Sequence, residues 1–414
     1  MRIIIAGAGI GGLTAALSLH AAGFTDVVVH ERVREIHPLG VGINLLPHAV
    51  RELTELGLAD RVAAIGVATG GLAYFNRLGQ SIWSEPRGLA AGYRWPQYSV
   101  HRGELQQLLL QAVRERLGAD AVVLGARLEH VGTDGAARFA IGDDIVESRT
   151  DLVIGADGIH SALRRQRYPE EGAPIWNGLV LWRGTALVDP YLDGRTMVMA
   201  GDAEQKFVAY PLARTVDGRA RVNFIAERRA PEGVEASADW NRPVDPGPII
   251  DLFRDWRFDW LDVPGLLGAA EQLLEYPMVD RDPLPRWTFG RTTLLGDAAH
   301  AMYPNGSNGA SQAILDARAL AFELATRASV DAALAAYEDE RRPPTAELTR
   351  SNRRLGPERV MQLAYERAPH GFADIDEVIP LAEREAIAAE YKRAAGFHPD
   401  ALNARSSLDP HTRS

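Results

Sequence analysis

Residues 3–12 read Ile-Ile-Ile-Ala-Gly-Ala-Gly-Ile-Gly-Gly, an apolar run that breaks into closely spaced glycines. Such a run predicts a buried parallel strand, here over 2–6. The stretch from about 11 to 22 carries helical spacing at Leu13, Ala16, Leu17 and Leu19, and Gly23 closes it. Gly7, Gly9 and Gly12 therefore stand in G-x-G-x-x-G spacing between a strand and a helix, with Ala8 and Gly11 in the same turn. In that setting Gly7 permits a tight turn, Gly9 lets a pyrophosphate approach the backbone, and Gly12 allows close helix–strand packing. The helix start offers free N–H groups and a positive dipole end to the phosphates. A second strand over 27–29 ends at His30-Glu31, and Glu31 is placed to hold ribose hydroxyls, with Arg32 beside it. This turn alone does not separate one dinucleotide from another.

Whole-chain properties bound the rest. The chain has 414 residues, 46% hydrophobic and 24% charged, the composition of a globular protein of two or three domains. A net charge of −10 argues against a nucleic-acid partner. With no cysteine, disulfides, thiolate metal sites and thiol nucleophiles are excluded, and no metal site is expected. No run of 18 apolar residues occurs, so no membrane span is expected. Met1 to Leu19 has the apolar look of a secretory signal, yet it reads as the first βα unit and lacks a clean cleavage site.

Further along, the pattern predicts helices over 46–57, 101–117, 308–327 and 329–341. Short strands are expected over 121–154 and strand-rich stretches over 71–85 and 175–225. Trp256 and Trp260 stand four apart on an expected helix. The nucleotide-domain segments are thus interrupted twice by strand-rich insertions. The expected architecture is α/β: a doubly wound, Rossmann-like domain from 1–71, 98–174 and 285–365, and an inserted β-sheet domain from 72–97 and 175–284. A helical, polar tail covers 366–414.

Two more segments complete the first. Leu152 to Ile154 runs into Gly155-Ala156-Asp157-Gly158, and Leu294-Leu295-Gly296-Asp297 ends a strand that is followed by Pro304, Gly306 and Gly309. A helix starting near Asn308, with Ala310 in its first turn, aims backbone N–H groups and a dipole at whatever lies before it, which suits an anionic reduced flavin. A Pro-Gly loop lets backbone rather than side chains line a ring.

Together the three segments resemble the aromatic-ring monooxygenases that use FAD. The resemblance implies a fold like para-hydroxybenzoate hydroxylase, with a discontinuous FAD-binding domain. It implies non-covalent FAD held by Gly7, Ala8, Gly9, Gly11, Gly12, Glu31, Arg32, Val41, Arg102, Leu124, Asp157, Gly158, Asp297, Gly306, Asn308, Gly309 and Ala310. Arg102 opens the 101–117 helix, where relatives place an arginine against the FAD chain. The loop departs from the commonest form of the motif, because Ser307-Asn308 separates Gly306 from Gly309. His300 is a tempting base, but in relatives a histidine here belongs to the scaffold.

Several stretches narrow the likeness to the phenazine hydroxylases: Pro38 to Asn44, Trp83 to Gly88, Pro96 to Leu105, Leu181 to Gly184 and Tyr276 to Pro285. This implies NADH or NADPH as co-substrate and insertion of oxygen from O2 through a flavin hydroperoxide. The substrate would be a small aromatic, foremost a phenazine carboxylate that loses carbon dioxide. Salicylate-like phenols are the alternative. Tyr303, Pro304 and Gly306 are the expected catalytic loop, and Trp182, Arg183, Tyr210 and Pro304 the expected substrate contacts. Leu45 and Leu46 are assigned to core packing beside the ring. A cytoplasmic location follows from the absence of signals and the need for reduced nicotinamide. A homodimer is compatible with the sequence but not specified by it.

Overall fold

We describe the protein from a computed structural model that covers residues 1–414 except 39, 133–134, 215–216, 235–241 and 413–414. Leu39 of the Pro38–Asn44 stretch and the last two residues of the tail thus lie outside the described residues.

The apolar run forms strand Ile3–Ala6, with Ile3, Ile4 and Ile5 fully buried. It sits at the centre of a five-stranded parallel sheet in the order Thr292–Leu294, Leu152–Gly155, Ile3–Ala6, Val27–Glu31, Val122–Leu124. Both faces are covered, which is why these strands read as unbroken apolar runs rather than alternating ones. Helix Ile10–Ala21 packs against Gly309–Thr326 and Arg102–Leu117. An antiparallel meander, Ala126–Val131, Ala136–Ile141 and Asp144–Arg149, lies between the fifth and second strands of that order in sequence.

The second sheet has eight strands, drawn from 71–86 and 175–280. Its long strands Ile175–Val188, Gln205–Arg214 and Ala220–Arg229 pair antiparallel, and Gly71–Phe75 joins Thr196–Gly201 in parallel. Strand alternation gives this sheet two apolar faces. The outer face, with Phe207, Phe224 and Ala226, is covered by helices Pro246–Leu252 and Val263–Gly268. The inner face, with Leu181, Met199, Val208, Tyr210, Ile225 and Met278, packs with Tyr303.

Two local expectations are corrected. The helix after Ser329 runs through Pro343 and Pro344 to Arg353 instead of ending at 341. The carbonyls those prolines deprive of partners belong to Asp339 and Glu340, both exposed to water, and the Thr345 hydroxyl bonds the carbonyls of Arg341 and Arg342. Trp256 and Trp260 are not on one helix. Trp260 sits in the turn of a two-stranded hairpin, Arg257–Phe258 with Leu261–Asp262, and stacks on Phe75 with ring centroids 4.1 Å apart. The stack with Phe75 and Phe258 favours the hairpin over continued helix. The tail is also built into the structure: helix Leu381–Ala394 contributes Tyr391 to a core with Leu46, Tyr93, Leu348 and Phe397. Among the described residues no helix is long and apolar enough to cross a membrane.

Candidate active site

The three motif segments converge because their strands are neighbours. Ala6 pairs with Gly155 and Gly155 with Leu294, so all three turns leave the same end of the parallel sheet. The approach is close. A Cβ added to Gly7, which has φ +108°, would lie 2.3 Å from the Ala156 carbonyl oxygen. One added to Gly12 would lie 1.9 Å from the Gly7 oxygen, and one at Gly11 would strike Leu295 at 2.7 Å and Ala313 at 3.2 Å. Gly7 and Gly12 hold backbone against backbone, and Gly11 admits the two side chains. Gly9 and Gly309 differ: a Cβ at either meets nothing within 4 Å. Each sits at the start of a helix and faces open space, as a phosphate or ring cradle requires.

Glu31 is turned into this site. It accepts a hydrogen bond from the Ala8 amide at 2.8 Å and one from Val33 at 3.1 Å. Gln106, one helical turn after Arg102, donates to the Ala8 carbonyl at 2.7 Å. Sequence reading passed Gln106 over, although the i, i+4 spacing from Arg102 places it on the same face. Arg102 is exposed, with its side chain 3.8 Å from where a Cβ of Gly40 would stand, and its amide bonds the carbonyl of buried Val41. Arg32 is exposed, and half-buried Leu124 pairs with Glu31.

The acidic residues of the other two motifs are left ready for a ligand. Asp157 Oδ2 accepts from the Ala162 amide at 2.7 Å, while Oδ1 is buried without a partner, and burial pushes this carboxyl up. Asp297 is exposed at the start of the Asp297–His300 turn. An orphaned buried oxygen, an exposed carboxylate and two open glycine turns fit FAD, which offers phosphates and many hydroxyls to bond.

His300 belongs to the frame. Its Nε2 lies 2.5 Å from Asp316 Oδ2, which also accepts from the Gly296 amide at 3.0 Å, and Arg341 Nε bonds the other oxygen at 2.8 Å. All three side chains are buried. Asn308 is committed as well: its side-chain amide donates to Tyr391 Oη at 2.9 Å and to the Gly306 carbonyl at 3.2 Å, so any contact with cofactor is left to its backbone. Half-buried Ala310 sits in the first turn of the helix and exposed Pro304 at the loop entrance. Leu45 and Leu46 are buried, and Ser311 Oγ accepts from the Leu46 amide at 3.2 Å, tying that strand end to the loop helix.

On the sheet side the expected contacts separate. Tyr210 and Arg183 are on the inner face; Trp182 is on the outer face, where its indole donates to Glu275 at 2.9 Å. Trp182 therefore does not face the flavin loop, a correction that follows from the alternation of adjacent strand residues. Arg183 donates to the Gly42 carbonyl at 3.2 Å and its Nε is buried without a partner. Asn223, hidden within an apolar strand in the sequence, accepts from the Gly42 amide at 2.6 Å. Burial pushes the Tyr210 phenol up to about 12, and burial with neighbouring Asp280 does the same to Tyr303. Both are neutral hydrogen-bonding groups at ordinary pH rather than bases. Lys206, unremarked in the sequence, is buried between Glu227 at 2.9 Å and Glu358. No cluster able to hold a metal occurs among the described residues.

Comparison with known proteins identifies the family. The family described as FAD binding domain matches residues 1–176 and 276–352. Phenazine 1,6-dicarboxylic acid hydroxylase PhzS from Lysobacter antibioticus is 49% identical over 361 residues, covering 85% of this chain and 89% of that one. Aurachin C monooxygenase/isomerase from Stigmatella aurantiaca is 33% identical, covering 86% and 89%. The structure of Klebsiella pneumoniae HpxO complexed with FAD and uric acid superimposes with a TM-score of 0.74 at 26% identity, covering 94% of this chain and 97% of that one. The chain belongs to the FAD binding domain family and is a class A, FAD-dependent aromatic monooxygenase.

Proposed function

We propose that the aromatic substrate is a phenazine carboxylate, hydroxylated at the carbon that bears the carboxylate. The observation that carries this reading is the inner sheet face. Leu181, Val208, Ile225 and Met278 form an apolar surface beside Tyr303, and Arg183 stands at its edge with an unpartnered Nε. A flat apolar ring system with one carboxylate matches a flat apolar wall with one cation. The likeness to a phenazine dicarboxylate hydroxylase supports the same class.

When bound, FAD supplies hydride acceptance from NADH or NADPH and the activation of oxygen. The chain's own residues have other tasks. Gly7, Gly9 and Glu31 hold the nucleotide end, the Gly309–Thr326 helix turns its N–H groups to the ring, and the inner face excludes water. The reaction balances as carboxylate, O2, NAD(P)H and two protons giving phenol, carbon dioxide, water and NAD(P)+. We place it in the cytoplasm, where reduced nicotinamide is supplied.

The test uses purified protein with FAD, NADH and 18O2, offered phenazine-1-carboxylate, its N-methyl form or salicylate, with products read by mass spectrometry. One labelled oxygen in a hydroxyphenazine, with carbon dioxide released in step with NADH oxidation, is expected. Turnover of salicylate alone would move the assignment to phenols. Bound FAD with no phenazine product would overturn it. Arg183→Gln is expected to lower kcat/KM roughly 10- to 100-fold for the carboxylate, the range for a charge-assisted hydrogen bond, but far less for the same ring without a carboxylate. Equal losses for both would remove Arg183 from recognition.

A further inference from the structure

The helix Leu381–Ala394 lies beyond the stretch matched by the family, yet it reaches the flavin loop. Tyr391 is buried at 5% exposure, and its hydroxyl meets three separate groups. It accepts from Asn308 Nδ2 at 2.9 Å, and it lies 3.0 Å from the Asn305 carbonyl and 3.2 Å from Asn352 Oδ1, both acceptors. The ring occupies the side of Gly306: a Cβ there would stand 2.0 Å from Tyr391 Oη. Gly306 has φ +71°, so the loop passes the ring in a conformation that suits glycine.

The surrounding contacts extend this seat. Gln312 Nε2, in the loop helix, donates to the Ala395 carbonyl at 3.1 Å, and Phe397 stacks on His48 with centroids 5.3 Å apart. One residue on, Lys392 pairs with Glu85 at 2.6 Å, and Arg384 donates to the Ile82 carbonyl at 2.7 Å. Both partners lie in strand Ser81–Pro86 at the edge of the substrate-side sheet. One helix thus grips the flavin loop and the far sheet together. For packing alone, an apolar ring would serve the Leu46, Leu348 and Phe397 core better, since a buried hydroxyl must recover its lost hydration. The hydroxyl recovers it from the loop.

We propose that Tyr391 is a positioning residue for the flavin: its hydroxyl fixes the backbone of the 304–309 loop that lines the ring, making the C-terminal helix part of the active site. The inference depends on FAD binding and not on which aromatic is the substrate, so it stands or falls separately from the phenazine assignment.

Tyr391→Phe keeps the ring and removes the three polar contacts. FAD affinity measured by flavin fluorescence is expected to fall roughly tenfold, the worth of about one buried hydrogen bond left unmade on the loop. The visible circular dichroism of the bound flavin is expected to change, and more NADH to be oxidised per hydroxylated product. Leu402→Ala, in the same C-terminal core but without a loop contact, is the control: it should lower Tm and leave the flavin spectrum and affinity alone. Asn308→Ala breaks the main contact from the loop side and serves if the tyrosine variant does not fold. It should reproduce the spectral change, and the double variant should be no worse than either single one. A Tyr391→Phe protein with wild-type FAD affinity, dichroism and coupling would overturn the proposal. So would a variant whose only change is the Tm loss seen in Leu402→Ala, or additive effects of the two loop variants.

Discussion

Replacing Gly9 with valine will leave a folded protein that no longer retains FAD. Gly9 has φ −73° and ψ −180°, an extended conformation that any residue adopts, and a Cβ there meets no protein atom within 4 Å. Nothing in the apoprotein opposes the new side chain. The space it fills is the space before the helix N-terminus, where a pyrophosphate would lie. Far-ultraviolet dichroism and Tm should match wild type, while FAD affinity falls roughly 100-fold or more, about 3 kcal/mol lost from the contact. Gly12→Ala is the contrasting case. Its Cβ would stand 1.9 Å from the Gly7 carbonyl oxygen, backbone against side chain inside the first helical turn, and neither partner can move without displacing strand Ile3–Ala6. That variant should lose the fold together with the cofactor. A Gly9→Val protein that emerges from gel filtration still yellow would show that the phosphates do not lie against this turn.

The second large effect is expected at Asp316→Asn. Asp316 is fully buried and answers the Arg341 guanidinium, the His300 imidazole and the Gly296 amide. Removing one member of a buried, hydrogen-bonded ion cluster costs about 3–5 kcal/mol, because the remaining charge stays buried. The loss should appear as a lower denaturant midpoint with unchanged slope, and it should loosen the Gly296-Asp297 turn, which Asp316 holds through an amide. The pH dependence follows from the same group. Burial alone would raise this carboxyl, but His300 and Arg341 more than offset it and bring it from 3.8 to about 2. A carboxyl depressed in the folded state contributes stability that is fully present above its ordinary pKa and lost as pH falls through the folded one. The window is therefore between pH 4 and 2, and the contribution is about 2 kcal/mol. Wild type should lose that increment on acidification through the window and Asp316→Asn should not; parallel curves would contradict the assignment.

Elements with a strong local signal were readable from one-dimensional pattern. The run Ile3 to Ile5, the glycine spacing through Gly12, and the helix from Arg102 are each decided by neighbours within a turn or two of chain. So is the start of the loop helix at Gly309. These are the parts of the protein in which backbone geometry, not side-chain partnership, does the binding, and backbone geometry leaves glycine and proline in the sequence as its trace. The same reasoning was too local for Pro343-Pro344, where an exposed side of the helix lets water replace the missing bonds.

Other features depended on residues far apart. Trp182 and Arg183 are adjacent, and only the pairing of the sheet decides that the arginine turns to the Gly42 backbone and the tryptophan to the outer face. His300 was assigned to the scaffold by resemblance alone, and its partners, Asp316 and Arg341, 16 and 25 residues further along in turn, appear only in the fold. Tyr391 lies in a tail that reads as ordinary helix, 83 residues from Asn308, and its role exists only because the chain folds back on the loop. The sequence by itself thus determined the cofactor and its strand–turn segments, since those rest on short-range spacing. Tertiary structure decided which side chains meet the loop and which line the inner sheet face, because burial and long-range hydrogen bonding assign those places and neither is written in any single stretch of chain.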